Sequence, residues 1–345
     1  MMRIWFNHWF STAYNLMTEL KKGCIENNID IQIIGSNRLD TCVYKVLCDE
    51  FYTEPIEISD DNYAKWCIDF CKEHHIDVFI PRRERSSISK YLSEFEQMNV
   101  KVMVDNNSEL IELLENKYRT AQFFEQNNIC KVPKIFIVNT LSDFEKAYSK
   151  LKELYPDDRV CIKYNIDEGA MSFRVIDDVV NTIHSLRTGI GLKISYTELV
   201  NMLSSVERFD DLIVMPYLKG PEISIDSLMT KEGFVGITRY KVGSRGTIVE
   251  YNPEFYEISK KFAEISGLKM PYNLQLRKHN DDWYLLEVNT RMAGGTHKSC
   301  LTGFNFPYMA LCELLNIPFK MKDISKLKSM LISEIETPVI LNSNF

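Results

Sequence analysis

A chain of 345 residues, 45% apolar and 26% charged, is long enough for two or three subdomains of a soluble globular protein. Its formal net charge of −7 argues against an electrostatic grip on a nucleic-acid backbone. No apolar run is long enough for a transmembrane helix, and the start MMRIWFNHWF lacks the basic segment and unbroken apolar core of a secretory signal.

Residues 1 to about 107 alternate short apolar strands with helical stretches. MRIWF and IDIQIIG read as strands joined by a crossover helix over TAYNLMTELKKGCIEN, and the rhythm continues through IDVFIPR and VKVMVD. Such repetition predicts a small parallel sheet flanked by helices. The first strand runs into Asn7-His8-Trp9-Phe10 with no glycine, so this domain is not expected to cradle a pyrophosphate on backbone amides. Nine cysteines without a repeating spacing read as free thiols of a reducing compartment, which suggests a cytoplasmic protein. Cys67, Cys71 and His74, with His75 beside them, have the spacing of one helical face. Trp66, Ile68 and Phe70 accompany them, and a packed face is the stronger reading than a metal site. IPRRERSS ends a strand with three arginines; a solvated loop is favoured there over a site for an anionic substrate.

From residue 108, SELIELLENKYRTAQFFEQNN reads as two helical segments interrupted near Asn116. The segments VPKIFIV, RVCIKYN, LIVMPYL, EISIDSLMT, FVGITRYKV, YNLQLRK and WYLLEVN then follow as candidate strands, in a spacing that favours an antiparallel sheet. SYTELVNMLSSV and FYEISKKFAEISG are helices, the second ended by Gly267. The tail beyond 320 is charged, then apolar, and offers one last strand.

The segment YNLQLRKHNDDWYLLEVNTR, residues 272–291, carries the most chemistry. Both halves suit strands, and a turn at Asn280-Asp281-Asp282 sets Gln275 opposite Glu287 and Asn273 opposite Asn289. One carboxylate and several neutral oxygens on one face suit magnesium when phosphates complete the shell. Arg291, just past the strand, offers a planar fork to a phosphate or carboxylate. A hairpin with a polar solvent face is the plain alternative.

Glu-Val-Asn-x-Arg after an Asn-x-Gln strand resembles the ATP-grasp superfamily, in particular the type found in the carbamoyl-phosphate-synthetase large subunit, over residues 108–318. The resemblance implies an α/β (α+β) fold: a small parallel-sheet domain over residues 1–107, a two-subdomain ATP-grasp domain over 108–320 with a lid at about 120–205, and a tail over 321–345. It implies ATP and magnesium, with manganese as a substitute, the metal being held by Gln275, Glu287 and Asn289. Arg291 would contact the phosphoryl group in flight. Lys117 and Lys163 would hold phosphates, Met215, Pro216, Tyr217 and Leu218 would form the adenine hinge, and Glu222 would accept the ribose hydroxyls. Gly169 and Ser172 would serve the phosphate loop, and Arg239 would hold phosphate or substrate.

Two departures from the family pattern stand out. The phosphate segment NIDEGAMSFRV is poor in glycine, and Pro216 replaces an acid common at the hinge. Gly294 and Gly295, with Thr296, His297 and Lys298, would form an acceptor-side loop, a surface turn being the equal alternative. Cys300 beside it has no part in the family's chemistry. The implied reaction is carboxylate–amine ligation through an acyl phosphate, on small-molecule carboxylate and amine substrates, with release of ADP and phosphate. The alternatives are an ATP-grasp kinase or carboxylase, or a nucleotide-binding regulator without turnover. Neither nucleic acid nor membrane is expected as a partner, and a homodimer fits the family.

Overall fold

The computed structural model describes residues 1–8, 10–56, 58–167, 171–178, 191–243 and 245–341. Gly169 of the glycine-poor phosphate segment, and Trp9, lie outside the described residues. The chain divides into two compact units. One comprises Met1–Glu112, Ile223–Gln275 and Val288–Phe345; the other comprises Leu113–Glu222 and Leu276–Glu287.

In the first unit, β1 (Met2–Asn7), β2 (Ile31–Asn37), β3 (Glu50–Thr53), β4 (Val78–Ile80) and β5 (Lys101–Val102) form a parallel sheet in the order β3-β2-β1-β4-β5. Helix Ala13–Glu26 buries Leu16, Met17, Leu20 and Cys24, the three-to-four spacing of an amphipathic crossover helix. Its Gly23 allows helix Phe306–Leu315 to approach closely, since a Cβ there would lie 2.6 Å from Tyr308 Cβ. Helix Asp60–Glu73 opens with two aspartates, which suit the positive end of the dipole, and buries Tyr63, Ala64, Cys67, Phe70 and Cys71. Trp5 stacks between Phe70 and Phe79 at 4.2 and 4.1 Å.

Cys67 and Cys71 are thus core, all nine cysteines are free thiols, and no metal-competent cluster of His, Cys, Asp and Glu occurs among the described residues. The arginine loop corrects the sequence reading. Arg82 and Arg85 are only 5% and 6% exposed, so IPRRERSS is not a solvated loop. Arg82 lies over the Phe10 ring and Arg83 over Tyr63, giving the apolar parts of both side chains a place to pack.

In the second unit, β6 (Phe136–Val138), β7 (Val160–Tyr164), β8 (Arg174–Ile176), β9 (Lys193–Ile194) and β10 (Leu212–Pro216) form a sheet ordered β6-β10-β7-β8-β9. It is antiparallel as expected, except that β8 and β9 pair in parallel. Helices Leu141–Leu154 and Tyr196–Leu203 cover the face carrying Val160, Ile162, Leu212 and Val214.

The third sheet consists of β11 (Glu222–Thr230), β12 (Gly233–Val242), β13 (Gly246–Glu250), β14 (Tyr272–His279), β15 (Asp282–Asn289) and β16 (Met330–Ser333), in the order β15-β14-β11-β12-β13-β16. The tail does add the last strand, paired to β13. The β14–β15 turn is tighter than expected: it comprises Asn280 and Asp281 only, with Asn280 at φ +53°, and Asp282 already belongs to β15. Asparagine tolerates that left-handed conformation, which is what a two-residue hairpin turn requires. No helix among the described residues is long and apolar enough to cross a membrane.

Candidate functional site

The anticipated residues fall into two groups, one in each unit. In the second unit, strand alternation sends Cys161, Lys163, Ile213 and Met215 to one face of the β7–β10 ladder, where Ile213 pairs with Lys163 and Met215 with Cys161. Cys161, Val175, Ile213, Met215 and Leu218 form an apolar cluster there, joined by Phe173 and Tyr217. Lys163 is 8% exposed, and its ammonium makes no hydrogen bond or ion pair among the described residues. Burial pushes its ammonium below the ordinary lysine range; the carboxylates of Glu287 and Glu222 oppose that shift without cancelling it. An apolar face that carries one desolvated cation is chemically suited to an aromatic base followed by an anion.

Beyond Lys163, Asp167 and Ser172 are bonded to each other. Ser172 Oγ accepts from the Tyr164 amide at 2.9 Å and donates to Asp167. Asn116 caps helix Lys117–Gln126 by accepting from Arg119 N at 2.9 Å. The Lys117 and Tyr118 amides already donate to the backbone and side-chain oxygens of Asn165, and Lys117 Nζ donates to Asp167 O at 2.7 Å. Lys117 and Ser172 therefore converge on the loop at Asp167, and the first amides of the helix are engaged by protein.

At the hinge, Pro216 has no N–H, and the Tyr217 N–H donates to Arg159 O at 2.7 Å, so the remaining hinge amide is that of Leu218. The Tyr217 ring lies between the guanidiniums of Arg159 and Arg277, at 5.0 and 5.5 Å. Arg277 Nη1 stands 3.9 Å from Glu222, whose carboxylate is exposed at the start of β11.

In the first unit, Asp226 on β11 is 1% exposed and lies at the centre of the second group. Its Oδ2 accepts from Arg239 Nε and Ser299 Oγ, each at 2.6 Å. Its Oδ1 accepts from Asn273 Nδ2 at 2.8 Å, Thr296 Oγ1 at 2.9 Å and Arg239 Nη2 at 3.2 Å. Burial alone would raise the Asp226 pKa, but the Arg239 guanidinium and the hydroxyl donors reverse that and hold it below the usual carboxylate range. Gly295 leaves room for this arginine, since a Cβ there would overlap the guanidinium. Arg239 is thus bound to Asp226 and links β12 to β11. Gln275 Nε2 donates to Asn273 Oδ1 at 3.0 Å. Asn289 ends β15 half-buried, and Arg291, which donates to Met292 O at 3.3 Å, lines a small pocket with Met103, Met270 and Thr290. In the loop beyond, His297 and Lys298 meet the tail carboxylate of Glu334 at 3.1 and 2.8 Å.

Two residues of consequence escaped the sequence reading. Arg277 follows Gln275 at the strand period, a signal that alternation alone carries. Asp226 is an acid inside the apolar strand EISIDSLMT, and a charge so placed needs a partner.

Residues 208–338 match a family model described as ATP-grasp in the biosynthetic pathway with Ter operon. No curated protein matches the chain. Among solved structures, the fold is similar to the N5-carboxyaminoimidazole synthetase of Staphylococcus aureus, with a TM-score of 0.61 and 12% identity over 92% of this chain and 78% of that one. It is also similar to the biotin carboxylase domain of the Hydrogenobacter thermophilus 2-oxoglutarate carboxylase, with a TM-score of 0.65 and 17% identity over 95% and 73% of the two chains. The L-amino acid ligase of Bacillus licheniformis gives a TM-score of 0.63 and 15% identity over 91% and 74%. Residues 208–338 are thus similar to an ATP-grasp family, and the fold of the chain is shared with these three structures.

Proposed function

We propose that the protein is an ATP-dependent carboxylate–amine ligase that activates a small carboxylate as an acyl phosphate and releases ADP and phosphate. The observation that carries this reading is Lys163, a cation 8% exposed, with no ion pair among the described residues, on a face otherwise apolar. A buried ammonium without a close ion pair is costly, and a bound phosphate would relieve that cost. The adenine would lie on the face of Cys161, Ile213 and Met215, with the Leu218 amide at the hinge and the ribose hydroxyls on Glu222. Lys117 and Ser172 would hold the loop neck at Asp167, and Arg277 would keep the hinge tyrosine and Glu222 in place.

Gln275, Glu287 and Asn289 would supply side-chain oxygens only, one of them a carboxylate. That set fits magnesium when phosphate oxygens fill the remaining positions. When bound, the metal would neutralise charge on the phosphates. Arg291 would stabilise charge on the transferring group through its planar fork. Catalysis of this kind rests on positioning and charge, with no covalent step on the protein.

The test is mass spectrometry after incubation with ATP, magnesium and a defined pool of amino acids and small carboxylates. The expected product has the mass of two pool members minus one water and forms in step with ADP. A phosphorylated or carboxylated pool member would instead mark a kinase or carboxylase. Glu287→Ala is expected to lose substrate-dependent ADP release, and a wild-type rate in that variant would remove the metal assignment.

A further inference from the structure

The Asp226 cluster contains a logic that its role as a buried ion pair does not require. A carboxylate can only accept, and all five contacts to Asp226 come from donors. Asn273, 0% exposed, must therefore present Nδ2 to Asp226, which leaves Oδ1 on its other side. That Oδ1 accepts from Gln275 Nε2 at 3.0 Å. The Gln275 amide is in turn oriented, with Nε2 engaged and Oε1 left as its acceptor.

We infer that Asp226 and Asn273 form a donor–acceptor relay that fixes the Gln275 amide so that its oxygen, not its nitrogen, is offered to a divalent cation. Both are positioning residues, and the inference rests on the assignment of Gln275 as a magnesium ligand. An amide has two ends of similar shape and opposite polarity. In the wrong orientation it would aim two N–H donors at a cation, so the protein must exclude that orientation. Glutamine at this place gains from the relay, because its nitrogen has a designated partner. A glutamate would not: both its oxygens accept, and one would face Asn273 Oδ1, which Asp226 prevents from turning over.

This logic predicts a reversal of sign. In the wild-type background, Gln275→Glu should weaken magnesium-dependent ADP binding, although a carboxylate is ordinarily the stronger magnesium ligand. Asn273→Ala cuts the relay while leaving the Asp226–Arg239 pair intact, and should weaken binding by about 10-fold or more, the range for residues that orient metal ligands. In the Asn273→Ala background, Gln275→Glu should strengthen binding, since a carboxylate needs no orientation.

The experiment is calorimetric titration of ADP at a series of magnesium concentrations for the wild type, both single variants and the double variant. Thermal unfolding of each confirms that it is folded. The reversed sign supports the relay. Magnesium-dependent binding in the wild type, with Gln275→Glu acting in the same direction in both backgrounds, overturns the relay alone. ADP binding that is indifferent to magnesium in the wild type overturns the metal assignment, and the relay with it. A role in packing alone would lower the unfolding temperature of Asn273→Ala and leave the two substitutions additive.

Discussion

Two largely enclosed cations on strands show how differently this fold treats charge. Arg239 in the first unit lies against a carboxylate at 2.6 Å, and every oxygen of that carboxylate is matched by donors. Lys163 in the second unit is buried at 8% exposure, yet makes no ion pair among the described residues. The first arrangement is complete in the protein alone and holds strands together. The second has no carboxylate at ion-pair distance among the described residues, and in the proposed function a bound phosphate would supply the missing charge. Burial by itself therefore says little about function, whereas burial without satisfaction says a good deal.

The strongest test removes the partner that satisfies Arg239. Asp226→Ala leaves the Arg239 guanidinium buried without its counter-ion and should cost about 3–5 kcal/mol, measured by denaturant unfolding. Replacing both members, as in Asp226→Leu with Arg239→Met, should cost distinctly less than Asp226→Ala alone. The pH dependence has a definite sign. The folded pKa of Asp226 is depressed, so its contribution is present above the unfolded carboxylate value and is lost as pH falls through the folded value. An Asp226→Ala variant as stable as wild type would make the two cations alike after all.

The unsatisfied cation should respond the other way. Lys163→Met removes a charge that burial disfavours, and the melting temperature should rise by about 2–4 °C. Substrate-dependent ADP formation should fall by about 10²–10³-fold, the range for losing one group that stabilises developing charge. The lysine's folded pKa lies below its ordinary 10.5, so the unfolded chain binds the extra proton. The destabilisation is full below the folded pKa and fades as pH rises from there towards 10.5. A variant that loses stability and keeps turnover would identify Lys163 as structural.

Nucleotide binding offers a subtler readout of the same residue. Magnesium-ADP at 100 times its Kd should stabilise the wild type by about 2.7 kcal/mol, seen as a thermal shift. A phosphate beside Lys163 would raise its pKa, so binding takes up protons where pH lies between the free and bound values. Affinity is then full below the free pKa and declines as pH rises through that window. Calorimetry in buffers of different ionisation enthalpy detects the uptake, and Lys163→Met should abolish it.

Much of this architecture was legible in the sequence for reasons that particular residues make plain. Leu16, Met17, Leu20 and Cys24 sit at helical spacing, and EISIDSLMT and FVGITRYKV announce their strands by β-branched and aromatic content. What stayed hidden depends on partners distant in sequence. The arginines of IPRRERSS looked solvated because neither Phe10 nor Tyr63, on which two of them lie, is near them in the chain. The β14–β15 turn was placed one residue too long because Asp282 has turn chemistry, although Asn280 and Asp281 suffice. Asp226 was read as one more strand residue because its five contacts come from Arg239, Asn273, Thr296 and Ser299, and no local pattern shows that they converge. Lys163 was conspicuous for the opposite reason: an ammonium in VCIKYN needs no distant partner to look out of place.

The smallest expected effect concerns whether the helix at Lys117 binds phosphate through its terminus or through its lysine. Asn116 accepts from Arg119 N, and its replacement by alanine should cost about 1 kcal/mol as a lost cap. The amides of Lys117 and Tyr118 are already taken by Asn165, whereas the Lys117 ammonium reaches the loop at Asp167 O. If the lysine is the binding group, Asn116→Ala should lower the melting temperature and leave the magnesium-ADP shift nearly unchanged, while Lys117→Met should do the reverse. If the terminus is the binding group, the two variants should lose nucleotide affinity together, because fraying the first turn would scatter its amides. Thermal shifts of both variants with and without magnesium-ADP separate these cases. The engaged amides favour the first, since a donor already bonded inside the protein gains little by exchanging its partner for a phosphate oxygen.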